Sequence, residues 1–261
     1  MESIGRAFGQ HHQDSALATP QIPKTDLVSL EDIQYTQTRT VTLSRELLRR
    51  QRVIAGYGPC AFVDAYKVLR TRVLHKMREQ GWNTLAVTSP GAGCGKSLTA
   101  INLALSFALE VHQTVLLADV NLKDPTVHRY LGIDPAFGLS DYLMDNVPIQ
   151  KMLVTPNGIR RFVVLPGKRP MFNSSELVAS PKMAQLVDEL KHRYPSRFIV
   201  FDLPHMGTAD ALSFTPYADA VVLVIEEGKT TQDELSQAIA ALQDTPLVGL
   251  VLNKAENGSA E

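Results

Sequence analysis

The stretch from Ser89 to Ala104, SPGAGCGKSLTAINLA, holds the residue types that bind a chain of phosphates. Gly91, Gly93 and Gly95 let backbone N–H groups close around phosphate oxygens. Lys96 adds a cation for the β and γ phosphates, and Ser97 adds a hydroxyl for Mg2+. Ala92, Cys94 and Leu98 complete the run expected to line the nucleotide. Pro90 stands where the pattern GxxxxGK[ST] has its first glycine; it has no N–H to donate, but Gly91 beside it can still make the turn. A dinucleotide reading of GxGxxG would leave Lys96 and Ser97 without a purpose, so the expected ligand is a nucleoside triphosphate.

Phosphoryl chemistry is mostly positioning and charge neutralisation, so carboxylates are sought at strand ends. FIVFDLP ends an apolar run in Asp202, and VLLADVNLKDP ends another in Asp119. Either alone reads equally as an ordinary strand-terminating Asp. After a phosphate loop, the two together read as a metal site. The expected catalytic set is Lys96, Asp119 and Asp202, and the expected Mg2+ ligands are Ser97, Asp119 and Asp202. GLVLNK puts Asn253 at the end of the last apolar run, where it is either a base-recognising amide or a turn Asn.

These groups need a frame, and the pattern supplies one. Continuous apolar runs at 84–89, 114–120, 161–167, 197–204, 220–228 and 247–254 read as six strands. Between and before them lie helical patterns: a short one at 44–56, a long one at 61–80 with Phe62, Tyr66, Leu69 and Val73 on one face, and others at 96–109, 180–195 and 231–242. Apolar strands alternating with helices predict a mostly parallel sheet with helices on both faces, an α/β fold of the P-loop NTPase kind. GKRPMFNSSEL reads either as a loop over the active site or as a surface turn. EEGKTTQDE reads as a helix start capped by Thr230 or Thr231 rather than as a nucleotide contact.

Residues 1–42 read as a flexible polar extension and 43–261 as the folded domain. Within the extension, Ile4, Ala7 and Phe8 have the spacing of a short docking helix, with a disordered tail as the other reading. The adjacent His11 and His12 do not suit a helical metal pair. A chain of 261 residues with 44% hydrophobic and 20% charged residues has a globular composition, and its net charge of −1 gives no electrostatic case for nucleic acid. Two cysteines, Cys60 and Cys94, form no disulfide framework, and no run reaches the ~18 apolar residues of a membrane span. A cytoplasmic protein is expected, with any membrane role acting through a partner.

Several motifs in order resemble the kinase domain of the bacterial tyrosine kinases of exopolysaccharide and capsule loci, P-loop proteins related to the MinD/ParA-like ATPases. They are DAYKVLRTRV, TSPGAGCGKSLTAINLA, LLADVNLKDPTVHRYLG, GLSDYL, LPGKRPMFNSSELVASPKM and FIVFDLPHM, spread over roughly residues 60–256. The resemblance also places proline at position 90. It implies ATP and Mg2+ as cofactors, transfer of the γ-phosphate to a protein tyrosine, a homo-oligomer, and an integral-membrane polysaccharide chain-length regulator as partner.

The departures bear on activity. Asn121 stands where the family has the second Asp of D-x-D, Lys123 replaces an Arg, Asp64 and Lys67 replace Glu and Arg, and His205 replaces a proline. Losing a carboxylate that organises transfer costs about 100- to 1,000-fold by comparison with other lost transition-state contacts. The family's tyrosine-rich tail has no counterpart after Tyr217, so the acceptor is expected at Tyr35 or on another protein. Two functions are therefore expected: an attenuated tyrosine kinase, or an ATP-gated scaffold for the membrane regulator. A positioning ATPase ranks below both, because that group carries an extra lysine at the place of Gly91 and the segment AENGSAE is neither amphipathic nor basic.

Overall fold

The computed structural model describes residues 38–109, 114–192, 197–243 and 245–255. Eight strands form one sheet: β1 (Arg39–Val41), β2 (Thr84–Thr88), β3 (Thr114–Asp119), β4 (Val154–Pro156), β5 (Phe162–Leu165), β6 (Arg197–Asp202), β7 (Ala220–Glu226) and β8 (Leu247–Asn253). Their order is β1-β4-β5-β3-β6-β2-β7-β8, and every pair is parallel except β4 with β5.

The helices are α1 (Arg45–Arg50), α2 (Ala61–Gln80), α3 (Lys96–Ala108), α4 (Val127–Leu131), α5 (Leu139–Asp145), α6 (Ile149–Met152), α7 (Ser174–Val178), α8 (Pro181–His192), α9 (Ala209–Phe214) and α10 (Gln232–Ala241). They cover both faces of the sheet, and the strand sequences show why. Side chains alternate across a strand, so an uninterrupted apolar run supplies both faces. Leu85, Val87, Val115, Leu117 and Val200 pack with α2 and α3 in one core, while Ala86, Leu116, Ala118, Ile199 and Phe201 pack with α8, α9 and α10 in the other.

The six expected strands are present, and two more join them. β1 takes up Arg39–Val41, which the sequence pattern assigned to the extension, and β4 adds Val154–Pro156. Both have three residues, too few for a period to show. Residues 1–37 lie outside the described residues, and with them the Ile4–Phe8 docking helix, the His11–His12 pair and Tyr35.

One buried amide fastens the segment before α2 to the phosphate-loop helix. Asn102 on α3 is fully buried; its Oδ1 accepts from Ile54 N at 2.9 Å and its Nδ2 donates to Arg52 O at 3.0 Å. Arg52 has φ 58°, a turn that this bond helps to hold. Truncation would leave two backbone groups without partners. Asn102→Ala should lower unfolding free energy by about 1–3 kcal/mol, read as a shifted urea midpoint with an unchanged m-value.

Candidate functional site

Because β2, β3, β6, β7 and β8 are mutually parallel, their carboxyl ends lie along one edge of the sheet, the usual ligand edge of such folds. The phosphate loop leaves β2, Asp119 ends β3, Asp202 ends β6 and Asn253 ends β8. The structure thus brings Gly91, Ala92, Gly93, Cys94, Gly95, Lys96, Ser97, Leu98, Asp119, Asp202 and Asn253 to one place.

The loop is braced from within and from both sides. Ser89 Oγ donates to Gly91 O at 2.6 Å. The chain leaving β6 runs beside it, with Thr88 Oγ1 donating to Pro204 O at 2.6 Å and Met206 N to Ser89 O at 2.8 Å. From the other side Asn253 Nδ2 donates to Cys94 O at 2.8 Å. Gly93 and Gly95 have φ of 80° and 93°, and a Cβ on Gly95 would collide with the Asn253 amide. Only glycine fits there. Leu98 packs its side chain against the α2–α3 core.

Asp119 and Asp202 are opposite each other in the β3–β6 register, and both are fully buried. Asp119 Oδ2 accepts from Thr126 N at 2.9 Å and Val127 N at 3.0 Å; its Oδ1 and both oxygens of Asp202 have no hydrogen-bond partner. Burial, and then the charge of Asp202, push the Asp119 pKa well above the usual carboxylate range, against the pull of the Val127 and Thr126 amides. Burial likewise pushes Asp202 up to about 6, although the charge of Lys96 and the Ser97 side chain pull the other way.

Three buried, unpartnered carboxylate oxygens beside the Ser97 hydroxyl form a hard oxygen set. That set fits Mg2+, which is held through one or two carboxylates and keeps its other positions for water and phosphate oxygens. Among the described residues no group of three or more His, Cys, Asp or Glu side chains is placed to hold a metal ion.

Three of the residues that depart from the family pattern, Asn121, Lys123 and His205, lie near this pair, whereas Asp64 and Lys67 pair with each other on α2. Asn121 is buried and its Nδ2 donates to Asp124 O at 2.9 Å, so the amide is engaged in its own turn. Lys123 is exposed. His205 is half-buried, with an unpartnered Nδ1. Burial first, then the charges of Lys96 and Lys123, lower its pKa and keep it neutral at pH 7. The GKRPMF segment runs beside the chain leaving β3, with Met171 N donating to Leu122 O at 2.8 Å and Gly167 packed against Asp119 O.

Sequence patterning missed one part of this edge. Thr231 does cap α10, in a capping box with Glu234. The turn before it, however, leans on the phosphate loop: Thr230 Oγ1 accepts from Glu226 N at 2.9 Å and lies 3.9 Å from Cys94 Sγ. The only signal was its position at the carboxyl end of an apolar strand.

An ionised buried carboxylate with a raised pKa costs stability, and the cost grows as pH rises from the unfolded value near 4 through about 6. Without nucleotide and Mg2+, Asp202→Asn should therefore raise the melting temperature at pH 8, by up to about 3 kcal/mol of stability. At pH 4.5 only about a third of that gain should remain. Scanning calorimetry at both pH values measures the difference.

No family model matches the chain. Among curated proteins it is 32% identical over 193 residues to the tyrosine-protein kinase YwqD of Bacillus subtilis, covering 73% of this chain and 80% of that one. It is 24% identical over 219 residues to the succinoglycan biosynthesis transport protein ExoP of Rhizobium meliloti, covering 80% of this chain but 27% of that longer protein. The kinase domain of the Escherichia coli tyrosine kinase ETK shares the fold, with a TM-score of 0.68 over 85% of this chain and 93% of that one, at 24% identity. With this phosphate loop, this carboxylate pair and this relative, the chain belongs to the bacterial tyrosine kinase family of P-loop proteins.

Proposed function

We propose that the chain is an ATP-dependent protein-tyrosine kinase that acts in exopolysaccharide production at the cytoplasmic face of the membrane. The observation that carries this reading is the buried pair Asp119 and Asp202, set beside Lys96 and Ser97 with three oxygens unpartnered. Backbone amides of Gly91, Gly93 and Gly95 hold the phosphates, Lys96 reaches the β and γ phosphates, and Ser97, Asp119 and Asp202 hold Mg2+. The metal supplies charge neutralisation for the transferring group. Transfer forms a bond from the tyrosine oxygen to the γ-phosphorus and breaks the bond to the β–γ bridging oxygen, with ADP leaving. The hydroxyl proton passes to solvent, because the one unpartnered oxygen of Asp119 is committed to the metal.

No helix among the described residues is long and apolar enough to cross a membrane. In this reading a membrane-embedded chain-length regulator recruits the chain, and copies of the chain assemble with one another. ExoP, in which the matching region is about a quarter of a longer protein, supports such a link to polysaccharide transport.

One observation favours a second reading, an ATP-gated scaffold with little transfer. Asn121 is neutral, buried and bonded to Asp124 O, so it cannot replace the charge of a second Asp. Phosphate transfer from γ-labelled ATP with Mg2+ decides between them. The wild type should carry labelled phosphotyrosine, Lys96→Met none, and Asn121→Asp about 100-fold more or beyond. ATP binding with no labelled tyrosine in the wild type, in Asn121→Asp or with the membrane regulator added would establish the scaffold instead.

A further inference from the structure

The turn that follows β7 carries a cation onto the phosphate loop. Among the described residues beyond Gly93 and its chain neighbours, only the Lys229 ammonium comes within 4 Å of the place a Cβ on Gly93 would occupy, its Nζ lying 3.9 Å from that point. The turn is fixed rather than loose. Thr230 Oγ1 accepts from Glu226 N at 2.9 Å, Glu227 N donates to Asn253 O at 3.0 Å, and Asn253 in turn holds Cys94 O at 2.8 Å.

Lys229 itself is held weakly. Its ion pair with Glu226 Oε2 measures 3.4 Å with the lysine side chain 64% exposed, while Glu226 Oε1 already binds Lys254 Nζ at 3.0 Å. An exposed pair of that length contributes little, so the long lysine stem can turn toward a stronger anion nearby. Phosphate is such an anion, and lysine binds it as a point charge.

We propose that Lys229 is a second phosphate-binding lysine, which leaves Glu226 to contact the phosphate chain of the nucleotide above Gly93, in addition to Lys96. This rests on the nucleotide-binding reading of the loop. It adds a nucleotide contact to a segment that also caps α10 through Thr231.

The test is displacement of a fluorescent ADP analogue from the full chain by ADP and, separately, by adenosine. Lys229→Ala should weaken ADP about tenfold, the size of one charge-assisted contact, and leave adenosine unchanged. Lys229→Arg should hold ADP within about threefold of wild type, because the charge is kept. Equal ADP affinity in Lys229→Ala and wild type, with binding lost in Lys96→Met, would overturn the role of Lys229 while sparing the nucleotide site. Equal losses for ADP and adenosine would overturn it too, since the lysine would then not be reading phosphate. Failure of the wild type to bind ADP would instead overturn the nucleotide reading itself.

Discussion

Two carboxylates placed side by side out of water are the constraint on which the rest of this protein turns. The parallel register sets Asp119 against Asp202 at the ends of neighbouring strands, and neither can ionise easily while the other is charged. Hydrophobic packing could not have asked for such a pair, because a buried apolar substitute would be cheaper for stability. A cation resolves the conflict, and Lys96 is too far outside hydrogen-bond reach to do so alone. The sheet is therefore built around a charge that arrives with the ligand.

The same economy explains how firmly the phosphate loop is held. Its backbone amides must already point inward before a phosphate comes, since donors that reorganise during transfer lose most of their value. The chain leaving β6 grips the start of the loop through Ser89, and Asn253 on β8 grips its middle through Cys94 O. Two other strands, the adjacent β6 and the next-but-one β8, thus fix the loop that β2 launches. Asn253 keeps capacity for more, because an amide has a second N–H and an oxygen beyond the bond to Cys94. Bracing the loop and recognising a base are therefore compatible uses of one side chain.

Much of this was legible in the residues. A long apolar strand announces itself, and so do a glycine loop ending in Lys96–Ser97 and an Asp that closes each of two apolar runs. What stayed hidden were features with no period of their own. β1 and β4 have three residues each and exist because neighbouring backbones are there to pair with them. The Lys229–Thr230 turn resembled any helix start, and only the placement of β7 beside β2 brings it to the loop. The engagement of Asn121 with Asp124 was equally invisible, since sequence names the residue and not its partner.

That engagement bears on how the site can work. An Asp at 121 would add a third carboxylate to a place where two already resist ionisation, so its charge would be tolerated only with metal present. The amide avoids that repulsion and satisfies its own turn, which favours a stable protein in the absence of nucleotide. His205, neutral beside Lys96 and Lys123, adds no compensating negative charge. With Asn at 121 the site rests more easily without ligand than it would with Asp there, while keeping the two carboxylates that a cation requires. Nucleotide binding can survive such a change better than transfer can, because binding draws on the loop and its lysine, whereas transfer also needs the charge around the incoming hydroxyl.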